Sequence, residues 1–166
     1  DLLDFARPSP PSDVLVDVCQ LVHQAWRLTA GALSAGGVVV EVETPEHPVL
    51  ATVDVGQVQR ALVALMLETP HASGARRIVV RVLDDPGHAR VSLWLPGDGH
   101  RHDVVASLFE PFADARVGHG LTLALARRLV ENQGGNLRTE DGGNGVLVLV
   151  SFRGLRADGH ESGTAA

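Results

Sequence analysis

Residues 108–137 read LFEPFADARVGHGLTLALARRLVENQGGNL. A block of aromatic, acidic and imino residues, Phe109-Glu110-Pro111-Phe112, is followed by a short stretch and then by Gly118-His119-Gly120-Leu121-Thr122-Leu123. Leu121, Leu125 and Leu129 then recur at helical spacing and predict one buried face, with Arg127 and Arg128 on the other. Gly134-Gly135 ends the helix. Glycines just before a helix leave backbone amides open to an anion, and the helix dipole adds to the attraction. Such turns are common, so the weight of this one lies in its setting between the Phe-Glu-Pro-Phe block and the Gly-Gly pair.

Working outward, Asp1–Arg7 read as the end of a helix stopped by Pro8, Pro10 and Pro11. Val14–Val16 predict a short strand, and Asp17-Val18-Cys19-Gln20 resembles a capping box. Leu21, Val22, Ala25 and Leu28 give helical spacing to about Ala32, and Gly36-Gly37 ends that helix. Val38–Val42 and Leu50–Val53 are expected strands joined by a proline-containing turn. Asp54 caps a second helix, expected to reach Thr69 and stop before Pro70. Ile78–Leu83 and Arg90–Leu95 form a hairpin around Asp84-Asp85-Pro86-Gly87, and a Gly- and His-rich loop follows. Asn136–Thr139 and Val146–Phe152 close the chain as a hairpin turning at Asp141-Gly142-Gly143. The order predicts an α+β fold, a two-layer α/β sandwich with one mixed, largely antiparallel sheet covered on one face by three helices.

The block, the glycine turn, the helix and the Gly-Gly pair together resemble the C-terminal half of a histidine-kinase ATP-binding domain, in the superfamily shared with gyrase, Hsp90 and MutL. The family pattern is Phe-Glu-Pro-Phe, a mobile lid, Gly-Thr-Gly-Leu-Gly-Leu, a helix and Gly-Gly. The resemblance covers about residues 14–152 and implies the Bergerat-type fold, ATP as ligand, two-component signalling, a response-regulator partner and dimerisation through a helical hairpin. Leu3-Asp4-Phe5-Ala6-Arg7-Pro8 resembles the last turn of the helices that carry the phospho-accepting histidine in that family. Residues 1–8 are therefore expected to end that helix, 9–152 to form the ATPase-like domain and 153–166 to be a disordered tail.

The same comparison exposes departures. Aligned without a gap from Asp54, the two family asparagines fall on Ala64 and Glu68. The second asparagine coordinates the magnesium that bridges the triphosphate. A carboxylate can hold magnesium, but it adds a full charge beside the phosphates. At an effective dielectric of about 20, two like charges about 4 Å apart repel by about 4 kcal/mol. His71, one turn on, would offset part of this when protonated. The adenine-reading Asp-x-Gly-x-Gly element fits Leu95-Pro96-Gly97-Asp98-Gly99 in two registers, with Leu95 or Gly97 at the aspartate position. Asp98 in a shifted loop is a third option, and a plain turn the simplest reading. In the phosphate turn Gly118 and Gly120 remain, but Thr122 replaces the third glycine. The lid of the family supplies a lysine to the γ-phosphate, and here Arg116 is the one candidate.

These departures imply a degenerate, pseudokinase-like module that signals by protein interaction with weak or no ATP binding. No cofactor is expected unless the site works, in which case Mg-ATP would use Glu68 as metal ligand with His71, Asp98, Gly99, Arg116, Gly118, Gly120 and Thr122. The alternatives are an active histidine kinase with an atypical pocket and the docking domain of a histidine phosphotransferase. Other chemistries find less support. His100, His102 and Asp103 with His71 or His119 fit no specific zinc spacing and read as solvated loop residues. Ser73 and Ser107 lack a catalytic partner, and Trp26 and Trp94 read as core or interface residues. All 14 basic residues are arginine, and the net charge of -6 argues against nucleic acid. A single cysteine, Cys19, suits a reducing, cytoplasmic setting, and no apolar run approaches the ~20 residues of a membrane span.

Overall fold

The computed structural model describes residues 12–97, 102–110 and 120–154. Strand β1 (Asp13–Asp17) leads into helix α1 (Val18–Ala35). Asp17 joins them, because its Oδ1 accepts from the Cys19 amide at 3.0 Å and from the Val49 amide at 3.0 Å. Strands β2 (Val39–Glu43) and β3 (Leu50–Asp54) follow, then helix α2 (Val55–Ser73), capped by Asp54. The hairpin β4 (Arg77–Asp85) and β5 (His88–Pro96) leads to helices α3 (His102–Leu108) and α4 (Gly120–Asn132). Strands β6 (Asn136–Asp141) and β7 (Gly145–Arg153) complete the order. The fold is the expected mixed α/β arrangement with a mostly antiparallel sheet, and it has the helix-on-sheet layering anticipated above. No helix of the described residues is long and apolar enough to cross a membrane.

The sheet differs from expectation in one respect. Its order is β2-β4-β5-β7-β6, with β2 parallel to β4 and the other neighbours antiparallel. Strands β1 and β3 form a separate two-stranded ribbon, tied to the end of β7 by a bridge between Ala51 and Gly154. Alternation identifies a strand but not its partner. The parallel β2–β4 pair needs a crossover, and β3 with α2 supplies it.

Helix boundaries differ too. Helix α2 runs through Pro70 to Ser73 and ends on Gly74 at φ 73°. Proline this close to the end removes one ladder bond, to Met66, and only a last turn depends on it. The Gly- and His-rich loop contains α3, whose Val105 and Leu108 are buried. In α1 the core line passes from Ala25 to Thr29, while Leu28 is 68% exposed. Thr29 can be buried because its hydroxyl donates to the Ala25 carbonyl at 2.9 Å.

The core forms between the helices and one sheet face. Leu62 and Leu65 of α2 are buried as expected, against Ile78, Val80, Leu93 and Val148 of the same cluster. Helix α4 is phased differently from the leucine repeat. Leu123, Ala126 and Val130 are buried, whereas Leu125 and Leu129 are half-buried; the Leu121 side chain lies outside the described set. Apolar residues occupy nearly every side of this helix, so periodicity alone could not select the face. Gly134 takes φ 72°, and a Cβ on Gly135 would lie 2.5 Å from the Ser151 carbonyl oxygen. This pair lets the chain leave α4 close against the β7 backbone and enter β6 at once.

Leu123→Ala should therefore cost about 2–5 kcal/mol in urea denaturation, and Leu125→Ala clearly less. Gly135→Ala should lower the midpoint as well, because the strand backbone at Ser151 cannot yield cheaply.

Candidate functional site

The region to which the resemblance assigns a nucleotide is built from α2, the end of β5 and the start of α4. On α2, Ala64 and Glu68 are half-buried and His71 is exposed in the last turn. Glu68 and His71 stand three residues apart and hence neighbour each other on the helix surface. A histidine near the helix C-terminus also complements the dipole when protonated.

At the end of β5, Leu95 is 1% exposed and belongs to the apolar cluster between sheet and helices. Pro96 pairs with Gly145, and the Gly97 amide donates to the Asn144 carbonyl at 2.9 Å. The β5 terminus is thus fastened to the β6–β7 hairpin. Trp94 reinforces this on the opposite side of the strand, since a Cβ at Gly142 or Gly145 would fall within 2.7 Å of its ring. Of the proposed site residues, Asp98, Gly99, Arg116 and Gly118 lie outside the described residues. Gly120 is the first residue of α4, and Thr122 is half-buried in its first turn. The first amides of a helix have no intrahelical partner, so this end can present donors.

Two contacts that fix α4 had no sequence reading. Arg127 donates to Glu131 at 2.9 Å and to Glu110 at 3.3 Å, tying the residue after Phe109 to α4. Phe109 itself is buried. Gln133 follows α4, and its Oε1 accepts from the Asp54 amide at 2.7 Å while its Nε2 donates to Gln57 Oε1 at 2.6 Å. This junction fixes the end of α4 against the start of α2. The apolar spacing of Val105, Leu108 and Phe109 was the available signal for α3; the glutamine pair had none, because its members are 76 residues apart.

His102 on α3 has a buried Nε2 without a hydrogen-bond partner, and its Nδ1 lies 3.6 Å from Asp103 Oδ1. Among the described residues no group of three His, Cys, Asp or Glu could hold a metal ion. His100 and His119, the other members of the imagined histidine set, lie outside those residues. Cys19 is buried, and desolvation together with the nearby Asp17 carboxylate pushes its thiol up to about 11.

A family model described as histidine kinase-, DNA gyrase B- and HSP90-like ATPase matches residues 51–154. The chain belongs to this family, and its fold is that of a histidine-kinase catalytic domain. The catalytic domain of histidine kinase ThkA superposes with a TM-score of 0.70 at 21% identity, covering 86% of this chain and 97% of that one. The mycobacterial sensor histidine kinase MprB gives 0.67 at 23% identity, with 86% and 98% covered. Full-length ShkA in complex with AMPPNP gives 0.75 at 23% identity; 94% of this chain is covered but only 35% of ShkA. No curated protein sequence matches significantly.

Where the resemblance calls for a neutral amide on α2, Glu68 presents a half-buried carboxylate, and where it calls for a third glycine, Thr122 presents a β-branched side chain. In the register that puts Leu95 at the adenine position, its buried side chain would offer no acceptor; Asp98, the other candidate, lies outside the described residues.

Asp54, at the far end of α2 from Glu68, is itself titratable. The Ser12 amide, then those of Gln57 and Gly56, hold its carboxyl below the usual carboxylate range. Its contribution is present above the unfolded pKa of about 3.9 and is lost as pH falls through the lower folded value. Asp54→Asn should therefore flatten the acid limb of the stability–pH curve. Asp54→Ala should cost about 0.5–2 kcal/mol at neutral pH by removing the cap.

Proposed function

We propose that this domain is a degenerate, pseudokinase-like ATPase module of a two-component sensor histidine kinase, acting through protein contacts with weak or no ATP binding. The burial of Leu95 carries this reading. In the register that places Leu95 at the aspartate position, an apolar side chain embedded in the core occupies the adenine-reading site, and no carboxylate can be supplied there without disrupting the core. Glu68 and Thr122 act in the same direction at the phosphate end. The partner would be a response regulator or another signalling protein. ThkA, a fold relative at 18% identity, has been crystallised with the response regulator TrrA; 92% of this chain and 45% of that one are covered. In this reading, dimerisation would use a helical hairpin upstream of residue 1, and residues 1–8 would end it. The protein would work in the cytoplasm.

Under this proposal ATP is not a working ligand, and the module's own residues serve to hold a shape. Gln133 ties the end of α4 to the start of α2, Arg127 ties α4 to Glu110, and the Gly134-Gly135 turn sets the helix close to β7. A base-reading carboxylate gives adenine selectivity because a mismatched base leaves a buried polar group unpaired; without it that discrimination is lost.

Calorimetric titration of Mg-ATP into the chain should give no measurable heat or weak binding without preference for adenine over guanine. Glu68→Asn combined with Thr122→Gly should raise affinity only modestly while Leu95 remains. Micromolar, adenine-selective binding that is lost on Glu68→Asn would overturn the reading and make Glu68 a working metal ligand of an active kinase.

A further inference from the structure

The helices cover one face of the five-stranded sheet, and the other face carries a shallow open groove of about 100 Å³. Its lining includes His88, Arg90, Asn136, Arg138, Leu149 and Ser151. Strand register brings them together. Arg90 pairs with Ser151 and Ser151 with Asn136, so these three stand in one row across β5, β7 and β6. Arg138 pairs with Leu149 in the neighbouring row. Their alternating neighbours Val91, Val150 and Leu137 belong to the core, which turns this set outward.

The groove is rich in nitrogen donors in a chain of net charge -6. Carboxylates already sit at its rim. Arg90 Nη2 lies 2.9 Å from Asp85 Oδ2, and Arg138 Nη2 lies 3.1 Å from Glu140 Oε1. These side chains are 41–56% exposed, so the pairs are solvated and contribute little, and an incoming carboxylate can exchange with them. The planar guanidinium fork suits a carboxylate. A small metabolite would need most of its surface enclosed, which an open groove does not provide. An extended chain laid over the sheet needs no enclosure, and Leu149 gives it an apolar floor.

We propose that this groove docks an extended acidic segment of a partner protein. The partner's carboxylates replace Asp85 and Glu140 at Arg90 and Arg138, and Ser151 and Asn136 hydrogen-bond its polar groups. This deepens the protein-interaction reading above, on which the existence of a partner rests, by assigning it a surface and a chemistry. The nucleotide region lies on the helix side of the sheet, so nucleotide titration and the experiment below fail or succeed separately.

The probe is a fluorescein-labelled peptide of alternating glutamate and serine, about ten residues long so that it spans the groove. It is titrated into the full chain and followed by anisotropy at low salt. Wild type should bind, added salt should weaken the binding, and Arg90→Gln with Arg138→Gln should weaken it about tenfold or more. Asp85→Asn with Glu140→Gln removes the internal competitors and should tighten it. Amide shifts in NMR should centre on Arg90, Asn136, Arg138 and Ser151. Absence of binding by wild type would overturn the proposal. So would undiminished binding by a folded arginine double variant, or displacement of the peptide by an equal concentration of inorganic phosphate. If the arginine variant fails to fold, the carboxylate variant decides, and no gain in affinity there refutes the exchange.

Discussion

The junction at Asp54 holds the architecture together. Its carboxylate accepts from the Ser12 amide at 2.8 Å and from the Gln57 amide at 3.1 Å, and its own amide donates to Gln133. One residue thereby ends β3, caps α2, receives the chain entering β1 and receives the end of α4. Each bond satisfies a backbone group that would otherwise be an orphan at an element terminus. The alternative to this junction is a set of loose ends where β1, β3, α2 and α4 meet.

The sheet divides its side chains between two faces. On the helix side, one alternating set from β4, β5 and β7 gathers into the core: Ile78, Val80 and Val82, Val91, Leu93 and Leu95, and Val146, Val148, Val150 and Phe152. The opposite face keeps arginine–carboxylate pairs, among them Arg77 with Glu41 at 2.7 Å, and Trp94 lying against the β6–β7 glycines. The molecule therefore has two chemically distinct sides: one apolar and closed, the other charged and open. Family membership concerns the first, and the acidic-peptide proposal concerns the second.

The departures on α2 and β5 acquire meaning from this division. A leucine at the end of β5 sits comfortably beside Leu93 and opposite Val146, both core residues, whereas a carboxylate there would need a bound base or a buried partner to compensate its desolvation. Glu68 is tolerated on a half-buried helix flank for the converse reason.

Much of this was legible in the sequence. Asp17 and Asp54 announce helix starts, alternation marks the strands, glycines mark the turns, and residues 108–137 identify the family, because each of these signals is local and depends only on backbone sterics or period. Pro70 misled because its rule concerns an isolated helix interior, whereas here the helix ends one turn later. The α4 face, the separation of the β1–β3 ribbon and the gathering of Arg90, Ser151, Asn136 and Arg138 were decided by tertiary structure alone. They depend on which strand lies beside which and which of several apolar sides meets the sheet. Those choices are set by packing between residues tens of positions apart, which no local pattern encodes.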